Sequence, residues 1–368
     1  MKAAALAARR LQLPFHAAFA HAAARRDRGD SLWVEVADAM GRRGCGEGCP
    51  RAYVTGETAA SCLAFVDRHR RQWLAGICDV ADLAAWADEH EREIDCNPAA
   101  WAATELAFLD LFGRQSGKTV EQLLGLPPLA GRVRYSAVLG DGEPEAFRRQ
   151  LQRYRQAGFT DFKFKLAGDP ERDRAKLAAF AEFRIDAARV RADANNLWPD
   201  AAACLSYLAG LCCAFHAIEE PLPARDWAGM ARVAEATGLR IVLDESVCCR
   251  KDLWHLPDRK LPWVVNARVS KLGGLRRSMA LVTDAQALGL DIVIGAHVGE
   301  SSLLTRAALA LGQACPRAPL AREGAFGTLL LEADAVTPSL TFGAGGWLSA
   351  AQLSSTPGFG LEPGGGTA

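Results

Sequence analysis

No stretch of the chain approaches the roughly 20 consecutive apolar residues that a helix needs to cross a bilayer, which argues against a membrane-spanning helix. An excess of one charge is absent too. The 43 Lys and Arg balance 43 Asp and Glu, so no global field draws the chain to nucleic acid or to an anionic membrane surface. The 11 cysteines include no CxxC pair, and the doublets Cys212-Cys213 and Cys248-Cys249 are poorly placed to pair internally. Small buried thiols in a reducing cytoplasm are therefore expected, not a disulfide framework or structural zinc. No glycine-rich phosphate loop follows the first strand of the repeating segment, which removes the main signature of an open doubly wound sheet. Residues 1–30 are rich in Ala and Arg and poor in acids, as transit peptides are. Yet LQLPFHAAF runs on into SLWVEVADA and GCGEG as strand, turn and strand would, and the same bias persists along the whole chain.

What the chain does have is length enough for two domains, and half of its 368 residues are apolar, which supplies a sizeable core. Up to about residue 130, strand-like SLWVEVADA and the turn-rich GRRGCGEGCP precede helical stretches such as AAWAATELAFLDLFGRQ, where apolar residues recur at helical spacing. This is the pattern of an α+β domain. From Val133 short apolar runs alternate with amphipathic helices: VRYSAVLG, helix 143–158, DFKFKLA, helix 170–186, ARVRADA, helix 199–211, AFHAIEE, helix 225–237, LRIVLDE, WVVNARVSK, helix 275–288, DIVIGAH and helix 301–313. An eighth strand fits near 318–323. Seven to eight such units predict an α/β fold: a TIM-type β/α barrel over residues 131–344, capped by an α+β domain over residues 1–130.

Three strands end in an acid: Asp193 in VRADANN, Glu219 in HAIEEPL and Asp244 in RIVLDES, spaced 26 and 25 residues apart, one βα unit each. Neighbouring barrel strands would aim these acids at one point of the C-terminal face, where catalytic groups of this fold gather. Like charges that close repel unless a cation lies among them, and three oxygen ligands with room for water describe a magnesium site. A single strand-end Asp also serves as a helix cap or turn residue, but three in step favour the site. In DFKFKLA, alternation puts Lys163 and Lys165 on one face and Phe162, Phe164 and Leu166 on the other. The aromatic face must meet the helices. The lysines then point into the barrel mouth, where an ammonium needs carboxylates or a substrate anion nearby.

The ordered set KFK, Asp193, Glu219 before EPL, Asp244 before ES, and KLGGL after the sixth strand resembles the enolase superfamily, specifically its muconate-lactonizing-enzyme subgroup. GCGEGCPRAYVTGET resembles that family's early strand and loop, DLFGRQSGKTVEQLLG its domain-joining helix, and TPGFGLE its C-terminal return, here residues 345–368, to the cap. The resemblance implies Mg2+, with Mn2+ as the alternative, bound by Asp193, Glu219 and Asp244. Asn195 would lie near the metal, Glu220 and Glu245 would brace or pair with its ligands, and Glu245 rivals Asp244 as third ligand. The shared chemistry is removal of a proton α to a carboxylate through an enediolate, which the metal stabilises while a lysine takes the proton. Lys165 matches that base. Lys163 would lower its pKa by repulsion and help bind the carboxylate.

One position departs from the pattern. Relatives with two-sided chemistry carry a second lysine five residues before the first Gly of the Gly-Gly pair, and here that residue is Arg268. Lys271 is no substitute, because Asn266, Arg268 and Ser270 share one face and Lys271 points the other way. A guanidinium is a poor proton acceptor and a good fixed cation. Arg268 therefore tilts the reading toward one-base chemistry, a lyase or cycloisomerase in the manner of o-succinylbenzoate synthase or muconate cycloisomerase. His297, in GAHVGES, stands roughly where the mandelate-racemase subgroup keeps a catalytic histidine, so a racemase or epimerase using Lys165 and His297 is the alternative isomerase reading. A third reading is a non-catalytic homologue that binds a carboxylate.

Dipeptide epimerases of the subgroup hold a substrate ammonium with Asp-x-Asp on the eighth strand. The matching positions here are Gly324 and Phe326, which argues against dipeptides. The lid segment, about residues 14–26, offers Phe15, His16, Phe19, His21, Arg25 and Arg26, and such lids close on substrate. His16, Phe19, His21 and Glu300 form the candidate substrate-contacting set. A small carboxylate substrate, a cytoplasmic location and a homo-oligomer are expected, the last by resemblance alone.

Overall fold

The computed structural model describes residues 2–21, 24–211, 215–349 and 351–364, without the side chains of 17–26 and 352. The Phe19, His21, Arg25 and Arg26 side chains and Cys212-Cys213 lie outside that description. No disulfide joins the described cysteines, and among the described residues no helix is long and apolar enough to cross a membrane.

The chain begins with an antiparallel meander, β1 (Ala3–His21), β2 (Ala24–Asp38) and β3 (Arg43–Gly48), followed by α1 (Ala59–Gly76), α2 (Val80–Glu89), α3 (Glu91–Asp95) and α4 (Pro98–Ser116). The glycines of GCGEG, read above as turn residues, lie inside β3. A Cβ at Gly44, Gly46 or Gly48 would stand 2.2, 1.8 and 1.9 Å from the carbonyl oxygens of Ala107, Ala103 and Ala99. Glycine every second residue on the strand and alanine every fourth on α4 thus bring two backbones together with nothing between them. The start of α4 is capped by a carboxylate from the preceding loop, Glu57, which accepts from Ala99 N and Ala100 N at 3.0 and 3.1 Å.

Eight parallel strands follow in sequence order: β4 (Ala137–Leu139), β5 (Phe162–Lys165), β6 (Val190–Asp193), β7 (Ala217–Glu219), β8 (Arg240–Leu243), β9 (Trp263–Ala267), β10 (Asp291–Ile294) and β11 (Ala321–Arg322). Between β4 and β11, Ser136 N donates to Arg322 O at 2.8 Å. This is the eight-stranded β/α barrel with an α+β cap that the alternating pattern predicts, its helices within a few residues of the expected spans. Phe162 and Phe164 pack on Phe180 of the following helix, with ring centroids 5.9 and 5.4 Å away. Their lysine neighbours face inward. The register pairs Lys165 with Asp193 and Asp193 with Glu219, so these side chains leave the barrel at one level.

Three buried carboxylates join the cap and the C-terminal segment to the barrel. Glu105 of α4 accepts from Leu275 N and Arg276 N at the start of the helix after β9. Glu121 forms a two-pronged pair with Arg306 at 2.7 and 2.8 Å, and Arg306 also donates to Phe359 O at 2.9 Å. Glu47 of β3 accepts from Ser301 N, Ser301 Oγ and Ser31 Oγ, locking the cap to the helix after β10. Burial outweighs those hydrogen bonds and pushes Glu47 up to about 7. A carboxyl whose folded pKa lies above its ordinary 4.5 binds more protons folded than unfolded between those values, so it lowers stability as pH rises from about 4.5 to about 7 and adds no further slope above. Glu47→Gln is expected to flatten the fall in melting temperature across that window. An unchanged slope would show that Glu47 is ionised throughout.

Candidate active site

The barrel mouth is built from strand ends. Lys163, buried at 3% exposure, donates to Glu219 Oε2 at 2.7 Å and Glu323 Oε2 at 2.9 Å and lies 3.0 Å from Asp193 Oδ2. Burial opposes its charge, but the three acids more than offset that and hold its pKa well above the ordinary value. Lys165, one pleat further out, donates to Asp193 Oδ2 at 2.6 Å and Asn195 Oδ1 at 2.8 Å. Asn195 and Asn196 adopt φ of +47° and +60°, and Asn195 N returns a bond to Asp193 Oδ1 at 3.1 Å. Asparagine tolerates that left-handed backbone, which is why ADANN can turn so tightly behind the acid.

Arg268 crosses from the far side. Its Nη2 pairs with Asp244 Oδ2 and lies 3.6 Å from Glu219 Oε1, while Nη1 donates to His297 Nδ1 at 3.1 Å. A guanidinium can only donate, so Nδ1 accepts, and the imidazole proton is assigned to Nε2. Lys271 does not line the cavity. It donates to Asp244 O, Asp244 Oδ1 and Asn266 O at 2.6, 3.0 and 2.7 Å. Burial would raise Asp244, but Arg268 and Lys271 hold it below the usual carboxylate range. For Glu219, burial and the neighbouring charge of Asp193 push the carboxyl up to about 8.

Glu220 turns away from the mouth. It accepts from Asp244 N and Ser246 N at 2.6 and 2.8 Å and braces the turn that presents Asp244. Glu245 lines the cavity with Oε2 buried and without a hydrogen-bond partner; burial and the charges of Asp244 and Glu220 raise its pKa well above the ordinary value. Glu300 also lines it and accepts from His297 N at 2.7 Å, fixing the loop that carries the imidazole. His16 is not among the cavity-lining residues: its Nε2 lies 3.2 Å from Thr328 O on the rim. Sequence reading missed Glu323 and Arg191. Glu323 follows the short eighth strand, the same strand-end position as the other acids, and that was the available signal.

Lys163, Lys165, Asn195, Asp244, Arg268 and His297 open into one cavity of about 420 Å³. β5 and β9 stand four strands apart in the eight-stranded order, so Lys165 and Arg268 approach the acids from opposite walls.

A family model described as enolase C-terminal domain-like matches residues 146–365. The L-Lys-D/L-Arg epimerase of Methylococcus capsulatus is 32% identical over 322 residues, covering 82% of this chain and 87% of the relative. Among solved structures, a dipeptide epimerase from Methylococcus capsulatus complexed with Mg and the dipeptide L-Arg-D-Lys aligns with TM-score 0.81 at 28% identity, over 98% of this chain and 99% of the other. N-succinyl Arg/Lys racemase from Bacillus cereus shares the fold with TM-score 0.87 at 24% identity, over 100% and 97% of the chains. The chain belongs to the enolase superfamily, in the mandelate racemase/muconate lactonizing enzyme subgroup. It is an enzyme of the class that abstracts a proton α to a carboxylate, and its named relatives are mostly epimerases and racemases.

The donor set suits a hard divalent ion. Three carboxylates stand on successive strands, Glu219 is crowded by like charge, and Glu245 leaves a buried oxygen without a partner beside them. Among the described residues no three His, Cys, Asp or Glu side chains are drawn together to share an ion; Lys163 bridges Asp193 to Glu219, and Arg268 bridges Glu219 to Asp244.

Proposed function

We propose that the protein is a divalent-metal-dependent isomerase that inverts the α-carbon of an amino-acid-derived carboxylate, an epimerase or racemase. Lys165 moves the proton on one face, and the Arg268–His297 pair stands on the other. The observation that carries this reading is the placement of Lys165 and His297 in one cavity, with the strand-end acids between them. The inverting chemistry of relatives that align over most of the chain supports it. A metal held by Asp193, Glu219 and Asp244 supplies, when bound, charge stabilisation for the substrate carboxylate.

This chain's own residues do the rest. Asp193 and Asn195 orient Lys165 Nζ, leaving its third position to exchange a proton with the α-carbon. Arg268 keeps Nδ1 of His297 as an acceptor, so the ring presents Nε2–H to the cavity. Inversion through His297 requires Nε2–H to pass to the α-carbon as Nδ1 takes a proton from Arg268.

That last transfer is opposed by Asp244 and Glu219, whose charges offset the burial of Arg268 and raise its pKa further. The same observation favours a second reading, elimination or cycloisomerisation on the Lys165 face alone. NMR in D₂O with magnesium, over a panel of N-acyl amino acids, dipeptides, hydroxy acids and succinylbenzoate precursors, separates the two. Deuterium entering with inversion at the α-carbon is the expected result. Exchange with full retention, or a dehydrated or cyclised product, would replace the isomerase reading with the one-face reading.

A further inference from the structure

A second ionic cluster adjoins the Lys165 backbone outside the cavity, and none of the chemistry above uses it. Lys176 and Asp173, both fully buried, stand one turn apart on the helix Pro170–Glu182 that follows β5. Lys176 Nζ donates to Asp173 Oδ1 at 3.0 Å, to Asp141 Oδ1 at 2.8 Å and to the backbone oxygen of Lys165 at 2.8 Å. Those acceptors use all of the ammonium's protons. Asp173 reaches back toward the strand as well, accepting from Ala167 N at 2.9 Å, Gly168 N at 3.2 Å and the Tyr207 hydroxyl at 2.7 Å. Asp141 follows β4 and Tyr207 lies on the helix after β6, so three successive βα units meet at this pair.

The cluster closes the end of β5. Register with β4 stops at Leu139 opposite Phe164, one residue before Lys165, and Lys176 supplies the donor that the Lys165 oxygen accepts. Leu166 N then donates to Asp193 O at 2.9 Å, the next two amides go to Asp173, and Gly168 turns the chain with φ +74°. The backbone that carries Lys165 is thus pinned while Asp193 and Asn195 hold the far end of its side chain. A long stem with several rotatable bonds places its amine only as well as its base is fixed. An apolar residue would fill the place of Lys176 with less desolvation; only an ammonium donates there to two carboxylates and the Lys165 oxygen together.

We propose that Lys176, together with Asp173, is a positioning residue of the reaction: by fixing the Lys165 carbonyl and the turn after it, the pair aims the Lys165 amine at the substrate α-carbon. The proposal rests on the reading of Lys165 as the group that moves the α-proton. Neither Lys176 nor Asp173 lines the cavity, so their loss acts on the rate of one proton transfer and leaves substrate affinity in place. A misplacement of about 1 Å at a reacting atom costs up to about 10²-fold in rate.

Two variants test this, each checked for folding by circular dichroism: Lys176→Met, and Lys176→Met combined with Asp173→Asn, which removes both charges together should Asp173 without its cation prevent folding. In D₂O with magnesium, α-proton exchange is followed for both stereoisomers of each N-acyl amino acid and dipeptide that wild type exchanges. For the stereoisomer whose proton leaves toward Lys165, identified with Lys165→Ala, kcat should fall about 10- to 100-fold with KM held within about twofold. The opposite stereoisomer should keep its exchange rate within about threefold, which a general loss of structure would not allow. An equal loss for both stereoisomers, a change confined to KM, or an unchanged kcat would overturn the proposal. A wild type that exchanges one stereoisomer alone removes the isomerase reading, and the split of kcat from KM on that stereoisomer then decides for or against the clamp. If wild type exchanges nothing, the functional reading fails, and a crystal structure of the variant decides: Lys165 Nζ drawn away from Asp193 or Asn195 supports the clamp, and both bonds retained overturns it.

Discussion

Lys165→Ala should lower magnesium-dependent α-proton exchange by about 10³-fold, the scale of losing a positioned proton-transfer group, while the fold and metal binding persist. The reason lies in what the side chain holds up, which is little. Lys165 stands at the cavity wall with two bonds, to Asp193 and Asn195; after its removal Asp193 still has Lys163 at 3.0 Å. Lys163→Ala should behave in the opposite way. It strips the cation from three buried acids, Asp193, Glu219 and Glu323, and the loss of one partner from a buried ionic cluster costs about 3–5 kcal/mol. Hydrogen–deuterium exchange at the substrate α-carbon, read beside thermal melts, distinguishes the two lysines. A Lys165→Ala protein that still exchanges at more than about a tenth of the wild-type rate would remove Lys165 from the proton-transfer role.

The difference between the two lysines was half legible in the sequence. Period-two alternation in DFKFKLA gives their shared face and sends both phenylalanines to the helices, where Phe180 meets them. Strand-end position likewise brought Asp193, Glu219 and Asp244 forward, because a barrel strand has one catalytic end and the βα repeat has a nearly constant length. What Lys163 touches could not be read that way. Its partner Glu323 lies 160 residues further on, beyond a two-residue strand too short to show alternation. The glycines of GCGEG gave a mixed signal, strand in one reading and turn-rich in another, for a related reason: glycine signals a turn locally, whereas here it answers to Ala99, Ala103 and Ala107 on a helix about 55 residues downstream. The lid segment gave the least return. His16 turns to the carbonyl of Thr328, and no local pattern in PFHAAFAH specifies that partner.

Arg268→Met should couple the stability of the protein to magnesium more tightly than wild type does. The guanidinium bridges Asp244 and Glu219, so replacing it with an apolar side chain of similar reach leaves two buried carboxylates short of a counter-charge, again about 3–5 kcal/mol. Asp193, Glu219 and Asp244, proposed above to hold a divalent ion, would then receive the missing charge from it, and a ligand that binds only the folded state stabilises by mass action. With chelator present, the variant should therefore melt well below wild type; with saturating magnesium, much of the gap should close. The variant should also bind magnesium about tenfold tighter or more, since the ion no longer shares its ligands with a fixed cation. Arg268→Lys, which keeps a charge but loses the second prong to His297, should fall between the two. Equal magnesium-dependent shifts in melting temperature for wild type and Arg268→Met would mean that guanidinium and metal do not contend for the same carboxylates. His297 adds a separate readout: the Nη1 donor to its Nδ1 is gone, so its NMR tautomer signature should shift away from the Nε2–H form in the variant while Lys165 still exchanges the α-proton on its own face.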